Sequence, residues 1–318
     1  MHRRAFSFAF ILTVFLATSV MAQISATPPE VTAKIREMGK NLSPEIIGTT
    51  MKLYMPLHAN VDRSGVKVTK DEKYGTDERH RLDVYEPSEK ASSPMPILVF
   101  VHGGGFVAGD KSSPGSPFFG NIGYYFAKRK ILTVVPTYRL APKHKWPAGT
   151  EDVAGALAWV RKNGEKFGSD TNRIVIMGHS AGGAHVASYI FQEEFQLKEG
   201  DGLSGAILLS GVYDPERAPA PPYYGEDKSK YPSMAPIRYI DGRKIPVFIV
   251  FAEFDPYFID VQTSDLFQAL FQRDKACPTI KQLIGHNHLS EAYHIGTADE
   301  SFGPDIVEFI RTRGPLSK

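Results

Sequence analysis

Apolar residues along this chain fall into two alternating rhythms. Short runs rich in β-formers occur at Ile97–Val101, Ile131–Val135, Arg173–Met177, Gly205–Leu209, Pro246–Phe251 and Thr279–Ile284. Runs of that length fit strands covered on both faces, as in a parallel sheet. Between them lie helix-compatible stretches: Phe118–Lys130, Trp146 to about Phe167, Val261–Gln272 and Asp305–Arg311. Strand alternating with helix predicts an α/β protein with a doubly wound, mostly parallel sheet. Val66–Lys70 and Arg81–Tyr85 read as a strand pair joined by the polar turn Asp71–Glu78. Further upstream, Val31–Met38 and Pro44–Leu57 have helical periodicity, with Ser43 as a cap and Pro44 in the first turn. These two helices predict a small N-terminal cap, residues 23–60, ahead of a main domain over residues 61–318.

Two segments break the rhythm. Residues 212–243 are rich in proline, tyrosine and charge, and sit between one strand end and the next strand. Such an insertion overhangs the carboxyl edge of a parallel sheet, so a lid or pocket wall is expected there. At the N-terminus, His2-Arg3-Arg4 precedes the apolar run Ala5–Val20, and Val20-Met21-Ala22 precedes Gln23. That pattern reads as a signal peptide over residues 1–22, cleaved after Ala22. It predicts a secreted or periplasmic protein that no longer holds the membrane after cleavage.

Composition narrows the chemistry further. The 318 residues are 42% hydrophobic and 23% charged, as in ordinary globular proteins. A formal charge of +2 and the lack of a basic run argue against a nucleic-acid partner. Cys277 is the only cysteine, which excludes an intrachain disulfide and a thiolate metal cage. It reads as a half-buried packing residue. No spacing of the H-E-x-x-H kind is present, so no metal is expected.

The chemistry centres on Gly178-His179-Ser180-Ala181-Gly182, a G-x-S-x-G motif preceded by Ile174–Met177 and followed by helix-compatible residues. Strand, sharp turn and helix would project the Ser180 hydroxyl from a strand end. A serine needs a base to take its proton, and the base needs an acid to fix its tautomer. With strands as ordered here, the acid and then the base should follow later strand ends. Asp255 lies beyond the Pro246–Phe251 run, with Glu253 as a weaker acid candidate. His288 lies beyond Thr279–Ile284, with His286 as the weaker base, because Gly285 gives the loop its turn before His288. His102-Gly103-Gly104-Gly105 follows the Ile97–Val101 strand. Its unobstructed backbone suits an oxyanion hole, with the N–H groups of Gly104, Gly105 and Ala181 as donors. His102 is expected to brace this loop, and Glu151-Asp152 to support its neighbours. Tyr138, Tyr213, Tyr223 and Tyr224 are candidates for pocket lining or packing.

Taken together, His102–Gly105, Gly178–Gly183, Tyr138-Arg139-Leu140-Ala141-Pro142, Pro147–Asp152 and Asp255-Pro256 resemble the hormone-sensitive-lipase-like group of α/β-hydrolases. Leu82-Asp83-Val84-Tyr85 is also similar to the bacterial feruloyl-esterase and arylformamidase branches. The similarity runs from about Arg81 to Arg311. It implies an α/β-hydrolase fold and a serine carboxylesterase with Ser180, Asp255 and His288 as triad, a small-molecule ester as partner and no cofactor. Two positions depart from the group: His179 stands where many members have aspartate, and Asp255–Asp260 lacks the usual arginine and adjacent acids. An amidase or arylformamidase on the same triad is the nearest alternative. A non-catalytic ligand-binding version of the fold is the alternative from another class, and such proteins usually lack a triad member.

Overall fold

The computed structural model describes residues 27–218 and 220–312, so the segment read as a signal peptide lies outside the described residues. Helices α1 (Pro29–Met38) and α2 (Pro44–Tyr54) come first, followed by strands β1 (Val66–Lys73), β2 (Arg81–Pro87) and β3 (Met95–Val101). Next are α3 (Gly120–Ala127), β4 (Leu132–Pro136), α4 (Ala148–Asn163), β5 (Ser169–His179), α5 (Ala181–Phe191) and β6 (Leu203–Leu209). Two short helices, α6 (Pro221–Tyr224) and α7 (Tyr231–Met234), precede β7 (Val247–Phe254) and α8 (Tyr257–Asp274). The chain then runs through β8 (Thr279–Asn287), α9 (Ser290–Tyr293) and α10 (Gly303–Thr312).

The eight strands form one sheet in the order β1-β2-β4-β3-β5-β6-β7-β8. β1 pairs antiparallel with β2, and β2 antiparallel with β4. Every other pairing is parallel. The mostly parallel, doubly wound sheet read from the sequence is therefore the one observed.

Strand parity divides the core in two, because successive side chains point to opposite faces. Leu98 and Phe100, Val175 and Met177, and Ile207 and Leu209 meet Ile122 and Phe126 of α3 and Ile306 and Phe309 of α10. Their alternates Ile97 and Val99, Ile174 and Ile176, and Ala206 and Leu208 meet Leu157 of α4, Val186 of α5 and Leu266 of α8. Every one of these strand residues is fully buried. Full burial of each such aliphatic side chain contributes about 1.5–3 kcal/mol. The result is a rigid central sheet whose carboxyl edge can hold loops in fixed positions.

Helices α1 and α2 form where the apolar spacing places them, with the Ser43 hydroxyl accepting from the Ile46 N–H at 3.3 Å. α1 packs on β8, with Val31 and Ile35 in the core, while α2 packs on α9. Segment 212–243 is built of short turns of helix packed onto the body. Tyr223, Tyr224, Tyr231 and Met234 are buried with Phe106, Ala181 and Ala184. It is a wall of aromatic rings standing beside the start of α5. Cys277 departs from expectation: it is exposed. It sits in the turn between α8 and β8, where no neighbouring element covers it.

Candidate active site

β5 delivers the sharp turn. It ends at His179, α5 begins at Ala181, and Ser180 between them has φ 54° and ψ −120°. A positive φ is costly for a residue with a Cβ, and packing must hold it there. Gly182 makes that packing possible, since a Cβ on it would meet the Val101 carbonyl oxygen at 2.2 Å. The turn can thus press against the end of β3, leaving Ser180 half-buried with its hydroxyl at the sheet edge.

The two partners arrive on later strands, as their order predicts. His288 follows directly on β8, and its Nε2 lies 2.8 Å from Ser180 Oγ. Its Nδ1 lies 2.7 Å from Asp255 Oδ1, just beyond β7. Asp255 Oδ2 accepts from the Ala252 N–H at 2.7 Å and the Ser210 hydroxyl at 2.6 Å. The carboxylate is fully buried and His288 nearly so. Hydroxyl, imidazole and carboxylate form a continuous hydrogen-bonded line across 108 residues of sequence.

The weaker candidates are placed elsewhere. Glu253 Oε2 accepts the Gly285 N–H at 2.7 Å, away from the histidine pair. This contact fixes an irregularity in β8: Ala252 pairs with Leu283 but Phe254 with Asn287. Gly285, at φ 80°, therefore sits in a bulge inside a strand that continues to Asn287; the strand does not end in a turn at Ile284. His286 turns the other way, its Nδ1 3.1 Å from Ser290 Oγ and its Nε2 3.3 Å from Asp299. Residues two apart in one strand would share a face, but β8 ends at Asn287, so His288 lies past the strand end and is free to leave the side that His286 takes.

The glycine loop lies against the serine. A Cβ on Gly103 would fall 3.1 Å from Ser180 Cβ, and one on Gly104, at φ 135°, would meet the Ala108 oxygen at 2.1 Å. The Gly104 carbonyl accepts from the Val107 and Ala108 N–H groups, closing the loop on itself. Among the described residues, the N–H groups of Gly104, Gly105 and Ala181 have no backbone acceptor. His102 braces the loop: its Nδ1 donates to the Gly103 carbonyl at 2.7 Å, and its own carbonyl accepts from Tyr138 Oη at 3.0 Å. Its ring stacks on Tyr138 at 4.4 Å, and burial pulls its pKa down to about 3. Asp152 supports the next segment, accepting from the Arg139 N–H at 2.7 Å while its other oxygen lies 2.9 Å from His80 Nε2. Arg139 also reaches Glu151 at 3.0 Å.

The roles of three neighbours escaped the sequence reading, which marked His179 only as a departure from the usual aspartate and passed over Ser210 and Glu291. His179 Nε2 donates to the His288 carbonyl at 2.7 Å. Burial draws its pKa down to about 4, so the ring is neutral. Ser210, at φ 44°, directly follows β6 with its hydroxyl 2.6 Å from Asp255 and 2.9 Å from Glu291 Oε2. Glu291, fully buried in α9, has its pKa driven well up by burial and then by the charge of Asp255. A glutamate in sequence reads as a surface charge, so only the fold could reveal this one. Of the four tyrosines, Tyr138 and Tyr213 pack and brace, Tyr213 Oη accepting from the Gly211 N–H at 3.2 Å. Tyr223 stacks flat on Phe106 at 4.4 Å, beside Tyr224 and near Ala181.

A mostly parallel sheet with helices on both faces, and a serine on a strained strand-to-helix turn facing a histidine–aspartate pair, give the chain an α/β-hydrolase fold. Residues 82–197 match the BD-FAE family model, in keeping with the resemblance read from the motifs. The chain is 35% identical over 158 residues to esterase LipC of Mycobacterium tuberculosis, covering 46% of this chain and 38% of that one. It is 30% identical over 166 residues to the versiconal hemiacetal acetate esterase of Dothistroma septosporum, covering 51% and 48%. The chain thus spans less than half the length of these curated relatives. Among solved structures, esterase B from Lactobacillus rhamnosis superposes with a TM-score of 0.69 at 18% identity, covering 89% of this chain and 94% of that one. A bacterial heroin esterase does so with 0.68 at 20%, covering 90% and 98%. These structural matches share the fold.

Proposed function

We propose that this protein hydrolyses carboxylic esters through an acyl-serine intermediate on Ser180. The observation that carries the reading is the unbroken line from Ser180 Oγ to His288 at 2.8 Å and on to Asp255 at 2.7 Å. His288 takes the hydroxyl proton as Ser180 attacks the ester carbonyl. The oxygen that becomes negative is received by the N–H groups of Gly104, Gly105 and Ala181, the last also at the positive end of α5. Asp255 stabilises the imidazolium that forms. That imidazolium then protonates the departing alcohol, leaving the acyl group on Ser180. Water, deprotonated by His288, releases the acid and restores the serine.

The aromatic wall of Phe106, Tyr223 and Tyr224 beside Ala181 favours small or aromatic esters over long-chain triglycerides. The esterase names of the similar curated proteins support the same reaction class. Hydrolysis of p-nitrophenyl esters of rising acyl length, with Ser180→Ala as control, tests the reading. Turnover should be highest on short or aromatic acyl groups and absent in the variant. Preference for matched anilides over esters would move the reaction to amide hydrolysis. We also propose export, with residues 1–22 removed, on the pattern of charge and hydrophobicity before Gln23. The mass of the mature protein purified from a secreting host tests this.

A further inference from the structure

Beside the triad, and used by none of its steps, lie a second carboxyl group and a hydroxyl. Ser210 Oγ stands between Asp255 Oδ2 at 2.6 Å and Glu291 Oε2 at 2.9 Å. A hydroxyl carries one proton and can donate to only one of them. If both carboxyls were ionised, one of these two short contacts would hold no proton at all. One carboxyl must therefore be an acid.

The surroundings decide which. Asp255 meets donors on every side: the Ala252 N–H at 2.7 Å, Ser210, and His288 Nδ1 at 2.7 Å. Those contacts favour its carboxylate. Glu291 is fully buried and has no lysine or arginine partner among the described residues. The ionisable groups facing it are Asp255 and His288 from neighbouring loops, His179 from the end of β5, and Tyr213. His179 Nε2 approaches Oε1 at 3.1 Å, but that nitrogen already donates to the His288 carbonyl at 2.7 Å. A second negative charge there would lie close to Asp255 with no cation to offset it.

Resting on the proposed hydrolase reading of this site, we infer that Glu291 is a neutral acid and a positioning residue for the triad. It donates to Ser210, which donates to Asp255, which accepts from His288. The donors converge on the Asp255 carboxylate from both sides, Ser210 on one oxygen and His288 on the other, and hold it ionised and in line with the imidazole. Ser210 has a φ of 44°, with its N–H donating to the Val250 carbonyl at 2.9 Å and its hydroxyl set between the two carboxyls. No bond is made or broken in Glu291 during turnover; its proton stays in place and fixes the direction of the network.

The charge of Glu291 is read directly by infrared difference spectroscopy between the wild type and Glu291→Gln. At neutral pH the wild type should show a protonated-carboxyl band that the variant lacks. Absence of that difference overturns the inference. The spectrum does not depend on turnover, so it holds even if Ser180→Ala were to show that the hydrolase reading is wrong. Kinetics supply the second arm. Glutamine keeps a neutral donor for Ser210, so the acid limb of kcat/KM should stay where it is in the wild type. An ionised Glu291 would instead make glutamine move that limb down by about one pH unit or more, which contradicts the inference. Glu291→Ala, lacking the donor, should lower kcat about tenfold with KM little changed. Loss of thermal stability in Glu291→Ala with kcat intact would reduce the residue to packing and overturn the positioning role.

Discussion

The ring of His179 holds the backbone of His288: its Nε2 donates to the His288 carbonyl at 2.7 Å. The residue before the serine thus anchors the loop that presents the imidazole to that serine, and two ends of the sheet edge are tied together. His179→Ala would leave a buried carbonyl without a donor. We expect kcat on a p-nitrophenyl ester to fall about tenfold to a hundredfold, with KM changed far less. His179→Gln, which offers an amide donor, should recover part of the loss. An alanine variant with full kcat would show that the bond does not position the base.

Gly104 tests the proposed anion cradle separately from the proposed triad. A methyl group there would press on the Ala108 carbonyl, and its φ of 135° suits glycine alone. Gly104→Ala should therefore displace the donor N–H groups and cost about 10²–10³ in kcat. Circular dichroism should stay unchanged. Normal turnover in this variant would place the oxyanion donors elsewhere.

Stability should decline toward acid. Burial draws the pKa values of His102, His185 and His294 down to about 3, and that of His179 to about 4. In the unfolded chain each returns to about 6.5. Between those limits the unfolded state binds more protons, so stability is complete above about pH 6.5 and is lost as pH falls. Each ring accounts for at most about 1.4 kcal/mol per pH unit. Glu291, whose pKa is raised, slopes the opposite way, its contribution declining as pH rises above its unfolded value. Four histidines outweigh one acid, so the urea midpoint at pH 5 should lie below that at pH 7.5. Equal midpoints would contradict the neutral state of these rings.

Much of this architecture is written locally. The ILVFV run at Ile97–Val101 and its counterparts become buried strands because nothing in them fits a one-sided sheet. Ser180, Asp255 and His288 could be singled out because each follows such a run, and strand ends share one edge. The strand length of β8 was less legible, since the bulge at Gly285 depends on a side chain from β7. Ser210 and Glu291 carried no signal in sequence, and His179 showed only as a departure from the usual aspartate, with no role attached. Their meaning comes from what they face across 45 to 109 residues, and neither spacing nor composition encodes that. Cys277 failed for the converse reason: a cysteine is usually covered, but a turn between α8 and β8 has nothing above it.

The account stands or falls on Ser180 being the nucleophile. Incubating the protein with a p-nitrophenyl alkylphosphonate and mapping the adduct by peptide mass spectrometry tests this most directly. One phosphonyl group should appear on Ser180, activity should vanish in step with it, and Ser180→Ala should take up none. A stoichiometric adduct on another residue, or ester hydrolysis that survives in Ser180→Ala, would contradict it.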